Sequence, residues 1–321
     1  MKDRPMPAPP SLEDRFQGCL VGLAIGDALG MPFEGHSAWV VATIVDQLRG
    51  FQESVSRELR AGQWTDDTQM SLCLARSLIR RGEADPEDIA REYLDWFIGG
   101  DVRGIGATTW NALNRLEAGA SWQQSGVEGE EAAGNGTAMR AAPLGLFYYN
   151  DLERLRKACA LDAEITHKNP EAVAGSQAVA FLVARLVAGT SPGKDLLDEI
   201  VQCVTGSRVA DNLRRIAELM GRRADPREAS EALGTGGYVV ETVARSVFCF
   251  FHAPDDFSTA VMAAVQGGGD TDTAGAITGA LSGTRNGHAA LPPSWQAEVE
   301  GRDEIVALAR ELFDTTGRRR G

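Results

Sequence analysis

Cysteine is scarce and dispersed. Cys19, Cys73, Cys159, Cys203 and Cys249 never form a CxxC pair, which excludes a disulfide scaffold and reads them as small core residues in a reducing compartment. Histidine is scarcer still. His36, His167, His252 and His288 make no HxH or HxxxH pattern, so zinc and copper have no ligand set. Positive charge is in deficit, with 32 Lys and Arg against 45 Asp and Glu and a net −13 over 321 residues. That balance repels bulk nucleic acid and anionic lipid. The first sixteen residues, MKDRPMPAPPSLEDRF, have no uninterrupted apolar segment and do not read as a signal peptide. The longest apolar stretch, AVAFLVARLVAG at 178–189, is broken by Arg185 and is too short to cross a bilayer. A cytoplasmic monomer with no nucleic-acid or membrane partner is expected. Strand signals are also few: Trp39–Val45 (WVVATIV) is the one run rich in β-branched residues, and nothing nearby offers it a partner.

What is present is ordinary globular material, 43% hydrophobic and 24% charged. Apolar residues recur three and four apart over Thr68–Arg80, Pro86–Phe97, Leu152–Glu164, Glu171–Ala188, Leu196–Thr205, Asp211–Met220, Tyr238–Phe251, Ser258–Val265, Thr273–Ser282 and Asp303–Phe313. Asp85-Pro86, Asn169-Pro170 and Asp225-Pro226 each read as a cap followed by proline at the first helical position. The pattern predicts one all-α domain over 13–315, with a flexible leader at 1–12 and a basic tail at 316–321. The 36 glycines gather in the connections.

Two segments far apart repeat one chemistry. Gly62-Gln63-Trp64-Thr65-Asp66-Asp67-Thr68 and Gly267-Gly268-Gly269-Asp270-Thr271-Asp272-Thr273 each set two carboxylates and two hydroxyls before a helix. Capping explains one such pair, but each cluster holds more oxygens than a cap uses. If the helix starts meet, four carboxylates crowd together, and protons or cations must lie between them. An all-oxygen set points to Mg²⁺ or Mn²⁺. An EF-hand is excluded, because Leu281 stands where a bidentate Glu is required.

Other segments suit the same site. Gly134-Asn135-Gly136-Thr137-Ala138-Met139-Arg140 is a glycine-rich turn able to aim N–H groups at phosphate, without the lysine and spacing of a Walker loop. Thr166-His167-Lys168-Asn169-Pro170 sets a histidine at a helix entrance, and Gly26–Glu34 leads an apolar first helix into a Gly/Pro turn bearing an acid.

In this order, GLAIGDALG (22–30), GQWTDDTQMSL (62–72), GNGTAMR (134–140), ITHKNP (165–170) and GGDTDTAGAITGALSG (268–283) resemble the ADP-ribosylglycohydrolase family, above all its bacterial hydrolases of ADP-ribosylated dinitrogen reductase. The resemblance implies an all-α orthogonal bundle with two Mg²⁺ or Mn²⁺ in a cleft. Carried onto this chain, the metal ligands are Thr65, Asp66, Asp67, Asp270, Asp272 and Thr273. Glu34, Asp66, Asp67 and Asp272 are the catalytic carboxylates. The Gly134, Asn135, Gly136, Thr137, Met139 and Arg140 segment holds the diphosphate, Gly104, Gly106 and Ala107 line the ribose, His167 flanks the distal ribose, and Tyr238 stacks on adenine. The implied activity is release of ADP-ribose from modified side chains, ADP-ribosylarginine first, with serine-linked ADP-ribose, O-acetyl-ADP-ribose or a small ADP-ribosyl compound as alternatives. A non-catalytic ADP-ribose binder is a further alternative. The strip Gly106-Ala107-Thr108-Thr109 departs from arginine-specific relatives, which carry an acid there; Asp101 is the nearest substitute.

Overall fold

The computed structural model describes residues 9–45 and 50–318. The eight leading residues of the expected leader and the last three of the basic tail lie outside them. Among the described residues there are seventeen α-helices and two strands of two residues. The helices of the first half are α1 (Leu12–Gly30), α2 (Ala38–Val45), α3 (Asp66–Arg81), α4 (Pro86–Ile98), α5 (Ala107–Glu117), α6 (Trp122–Ser125), α7 (Ala142–Phe147) and α8 (Leu152–Thr166). Those of the second half are α9 (Pro170–Val187), α10 (Lys194–Cys203), α11 (Arg208–Gly221), α12 (Pro226–Leu233), α13 (Val239–His252), α14 (Phe257–Gln266), α15 (Thr271–Asn286), α16 (Pro293–Glu298) and α17 (Arg302–Arg318). The all-α expectation holds, and the proline-after-cap signals fall where α4, α9 and α12 begin, with Asp85, Asn169 and Asp225 accepting from the first-turn N–H groups.

The segment Trp39–Val45 is helical, not extended. A strand there would need a neighbour to satisfy its backbone; a helix satisfies its own. Ser37 starts it, its carbonyl accepting from Val41 N–H at 3.0 Å. The two strands, β1 (Val127–Glu128) and β2 (His167–Lys168), pair in parallel with Val127 opposite His167.

The centre of the molecule is the antiparallel pair α1 and α15. Both helices are buried along nearly their whole length, and they touch through glycine. Gly18, Gly22 and Gly26 on α1 oppose Gly283, Gly279 and Gly275 on α15, and Gly30 opposes Thr271. The fourfold spacing keeps each row on one face. A Cβ on any of these glycines would come within 1.9–2.4 Å of a carbonyl oxygen of the facing helix. Close backbone approach is therefore obligatory. We expect Gly22→Ala or Gly279→Ala to destabilise the protein by about 3 kcal/mol through overpacking, read as a lower urea midpoint; an unchanged midpoint would mean that the helices can separate freely.

Around this pair α9, α13 and α14 complete one side and α3, α7 and α17 the other. The segments Leu12–Phe33 and Pro170–Val187 are long and apolar enough to cross a membrane by composition, but 94% and 67% of their apolar windows are buried against other helices. All five cysteines are free. Burial pushes the thiols of Cys19, Cys73, Cys159 and Cys249 up to about 12, which makes them inert packing residues. Cys203 is only half-buried.

Candidate active site

The glycine contacts of α1 and α15 decide where the acidic motifs go. Running antiparallel, they bring Asp27, near the end of α1, beside the start of α15. Asp27 is fully buried and gathers the first motif. It accepts from Thr65 N at 3.0 Å, Thr65 Oγ1 at 2.9 Å, Thr68 N at 3.1 Å and Thr68 Oγ1 at 2.6 Å. Asp66 and Asp67 thereby sit in the first turn of α3 facing Asp270 and Asp272. The two motifs, some two hundred positions apart, share one cleft of about 250 Å³ whose lining includes Asp66, Asp67, Asp270, Asp272, Thr273 and Glu34.

Burial and mutual repulsion set the electrostatics. Desolvation, then the charge of Asp27, pushes Asp66 up to about 7. Desolvation raises Asp67 and Asp272 well above the usual carboxylate range, with neighbouring carboxylates adding to it. Asp27 rises to about 6 through burial, restrained by its four hydroxyl and amide donors. Asp67 Oδ1 is buried with no hydrogen-bond partner. So many acids, one with an idle buried oxygen, make a hard-oxygen donor set suited to a divalent cation. Yet among the described residues no three such side chains stand in ready cation-holding geometry. The guanidinium of Arg57 stands among them instead. It pairs with Glu34 and lies 3.7 Å from Asp272 Oδ2.

The glycine run 267–269 packs against protein, not ligand. Gly268 and Gly269 are left-handed, and a Cβ there would strike Ala38 N at 2.4 Å and Thr235 O at 2.1 Å. This turn holds the Glu34 loop, through Gly35 N to Gly269 O and Gly269 N to His36 O, both 2.8 Å. Behind it the buried guanidinium of Arg245 donates to Gly268 O at 2.5 Å and to Asp270 O.

The opposite wall is the turn at Gly134, Asn135 and Gly136 with Met139 and the strip Gly104, Gly106, Ala107, Thr108 and Thr109. Asn135 joins the walls, its amide donating to Asp270 Oδ2 at 2.7 Å and Thr242 Oγ1 at 3.0 Å. His167 lines the cleft beneath Gly136, where a Cβ would lie 2.7 Å from the ring. Burial, then Arg140, lowers His167 to about 3, so the ring is neutral. Arg140 Nη2 donates to Thr166 Oγ1 at 2.8 Å, and that hydroxyl lies 2.8 Å from His167 Nδ1. Nε2 is the ring nitrogen beside the Gly134–Gly136 turn.

Five expected residues stand elsewhere than in the cleft. Arg140 is fully buried behind the turn, bound to Asp162 Oδ2 at 3.0 Å and Gly136 O at 3.1 Å, over the ring of Tyr93. A guanidinium so committed shapes the turn and does not reach a ligand. The Thr137 hydroxyl donates to Ala172 O at 2.7 Å, and Thr65 is held behind Asp67 by Asp27. Tyr238 is bridged to Gly134 and its hydroxyl accepts from Arg208 at 3.4 Å, outside the cleft lining. Asp101 faces a separate cavity beside Trp64 and Trp96, and its carboxylate is held by Arg103 at 2.8 Å. Asp27 lies in the Gly26–Glu34 segment without being singled out there, and nothing in the sequence marked Arg57 or Arg245 as members of the site. A wider depression of about 900 Å³ between α8, α9 and α10 is open, and its acids Asp198 and Glu199 pair with Lys194 and Arg185.

The chain is similar throughout to proteins of known kind. It is 31% identical to the ADP-ribosylarginine hydrolase Tri1 of Serratia proteamaculans, over 94% of this chain and 79% of that one. It is 28% identical to the ADP-ribosylhydrolase ARH3 of Gallus gallus, over 98% and 95%. A solved structure described as an ADP-ribosylglycohydrolase-related protein complex superposes with a TM-score of 0.75 at 33% identity, covering 95% of this chain and 99% of that one. The model of the ADP-ribosylglycohydrolase family matches residues 8–321, and the chain, with its converging aspartate turns, belongs to that family.

Proposed function

We propose that this protein is a divalent-metal-dependent hydrolase that cleaves the glycosidic bond of an ADP-ribosylated side chain and releases ADP-ribose. The observation that carries this reading is the convergence of Asp66, Asp67, Asp270 and Asp272 on one cleft with a glycine turn on its opposite wall. Asp66, Asp67, Asp270, Asp272 and Thr273 would hold a pair of Mg²⁺ or Mn²⁺, with Thr65 supporting Asp67 from behind. Such ions supply charge neutralisation and an acidified water at neutral pH.

The chain's own groups do the rest. The turn at Gly134–Gly136 offers backbone to the diphosphate, and an acidic protein needs such oriented dipoles to accept two phosphate charges. His167, neutral, turns Nε2 toward the ribose side. Water attacks the anomeric carbon as the bond to the leaving group breaks through an oxocarbenium-like state, and the departing oxygen or nitrogen takes up a proton from solvent. Glu34 stands at the cleft mouth, its side chain 32% exposed, and is the carboxylate placed to pass the water's proton to solvent.

One observation favours an oxygen-linked substrate over ADP-ribosylarginine. The strip facing the acids presents Ala107, Thr108 and Thr109, and Asp101 faces a separate cavity, held by Arg103. A guanidinium entering here meets no carboxylate on that strip, a charge-assisted contact worth roughly 1.5–3 kcal/mol. With serine-, O-acetyl- and arginine-linked ADP-ribose in Mg²⁺ or Mn²⁺, we expect oxygen-linked substrates to be cleaved about ten- to hundredfold faster. Intact ADP-ribose is the expected product. Free phosphate would indicate a phosphohydrolase, and binding without turnover on every linkage would indicate a non-catalytic binder.

A further inference from the structure

Arg57 is the unexpected occupant of the acidic cleft. It lies in a short 3₁₀ turn, Val55–Arg57, at the tip of a loop closed at its neck by Ser54 and Leu59, whose backbones exchange hydrogen bonds of 2.8 and 3.1 Å. The tip is open to water, with Val55 81% exposed. From there the side chain reaches inward, 25% exposed, to Glu34 on one wall and Asp272 on the other. A methyl at Gly104 would meet Arg57 Nη1 at 2.6 Å and Asp66 Oδ1 at 3.2 Å, so the guanidinium lies between the Gly104 strip and both motifs. Around it are Glu34, Asp66 and Asp272, while the buried Arg245 is committed to backbone carbonyls behind the turn.

The fit is incomplete. Arg57 Nη1 is buried without a hydrogen-bond partner, as is Asp67 Oδ1. A guanidinium has five donors in a fixed fork, and this one leaves a nitrogen idle among carboxylates while a carboxylate oxygen stays idle nearby. It offsets charge without matching the oxygen geometry. A small ion with several oxygen ligands would use those atoms better. The side chain is long and its loop tip exposed, so it can withdraw by changing rotamers alone.

We propose that Arg57 is an internal counter-cation: it holds Glu34 and Asp272 together in the metal-free protein, keeps the cleft closed, and competes with divalent ions for the same carboxylates. This rests on the metal-dependent reading above. Metal loading displaces the guanidinium, which frees Glu34 and widens a cleft that at about 250 Å³ is smaller than small-molecule sites usually are.

The test uses the full chain after chelation, with Mn²⁺ alone as the probe. Calorimetric titration and thermal melting in chelator are compared for wild type, Arg57→Met, Arg57→Gln and Arg57→Lys. Removing the charge should tighten Mn²⁺ binding about tenfold, since a competitor is lost. It should lower the melting point in chelator and leave the Mn²⁺-saturated melting point close to wild type. Arg57→Lys, which keeps the charge, should bind Mn²⁺ more like wild type than either neutral variant does. A neutral variant that folds only with Mn²⁺ would be the same result in extreme form. Wild-type affinity and chelated melting point in both neutral variants would overturn the proposal while leaving the metal site intact. Failure of all four proteins to bind Mn²⁺ would instead overturn the metal reading, and this inference with it.

Discussion

Asp272→Ala and Asp66→Ala should each lower ADP-ribose release on the order of 10³-fold, about 4 kcal/mol at the transition state. Each acid lies in the first turn of a helix that the α1–α15 contact brings to the shared cleft, and each is buried, 4% and 5% exposed. Neither loss should come from unfolding. Asp272 sits in a crowd of carboxylates that raises its own protonation, so the isosteric Asp272→Asn, which removes the charge and keeps the shape, should melt in chelator at or above wild type. Activity would be read with the linkage cleaved best by wild type, and folding by circular dichroism. Full turnover in either alanine variant would remove the acidic cluster from the chemistry.

Divalent cations should stabilise the protein, and more so at pH 8 than at pH 5. The sign follows from the acids. Asp27 and Asp66 titrate near 6 and 7 in the metal-free fold, and Asp67 and Asp272 are raised as well, against about 4 in the unfolded chain. The folded state therefore binds more protons between those values, and the stability this confers is lost as pH rises from about 4 through 7. His167 acts oppositely: lowered to about 3, it costs stability as pH falls below about 6.5. Above that pH it is silent, while the acids go on ionising and their mutual repulsion grows. A cation that binds the ionised acids then has more repulsion to relieve and fewer protons to displace. At a hundred times its dissociation constant it contributes about 2.7 kcal/mol, or roughly 4 °C in melting point for a chain of this size. Melting curves with and without Mg²⁺ at the two pH values would show it. An increment independent of pH would separate cation binding from these carboxylates.

Much of this was legible in the sequence, and for identifiable reasons. Helices such as α3, α9 and α13 carry apolar spacing and end signals within a few residues, so local rules sufficed. The motifs Thr65–Thr68 and Asp270–Thr273 were visible because their oxygen content exceeds what capping uses; Asp270 does cap α15, accepting from Thr273 N at 3.3 Å, without that being its whole surroundings. Less legible was anything that depends on what faces a residue across the fold. The glycines of α1 looked like connection material, although their partners on α15 make them the closest helix contact in the molecule. The run Gly267–Gly269 admits the backbones of Ala38 and Thr235, neighbours that its sequence does not name. Arg140, in a motif whose glycine turn lines the cleft, turned inward because Asp162, itself buried, requires a partner. Arg57 has no motif around it at all; only the loop closure at Ser54 and Leu59 aims it into the cleft. Trp39–Val45 is helical as the missing sheet partner implied, because β-branched residues describe a preference and lack of a partner decides the outcome.

The account stands on the two aspartate turns forming one cation site, and calorimetric titration of chelator-treated wild type with Mn²⁺ tests that most directly. Two ions bound per chain, with binding abolished in Asp67→Asn and in Asp272→Asn alike, is the expected result. Binding that survives loss of either turn, or no binding in wild type, would contradict it.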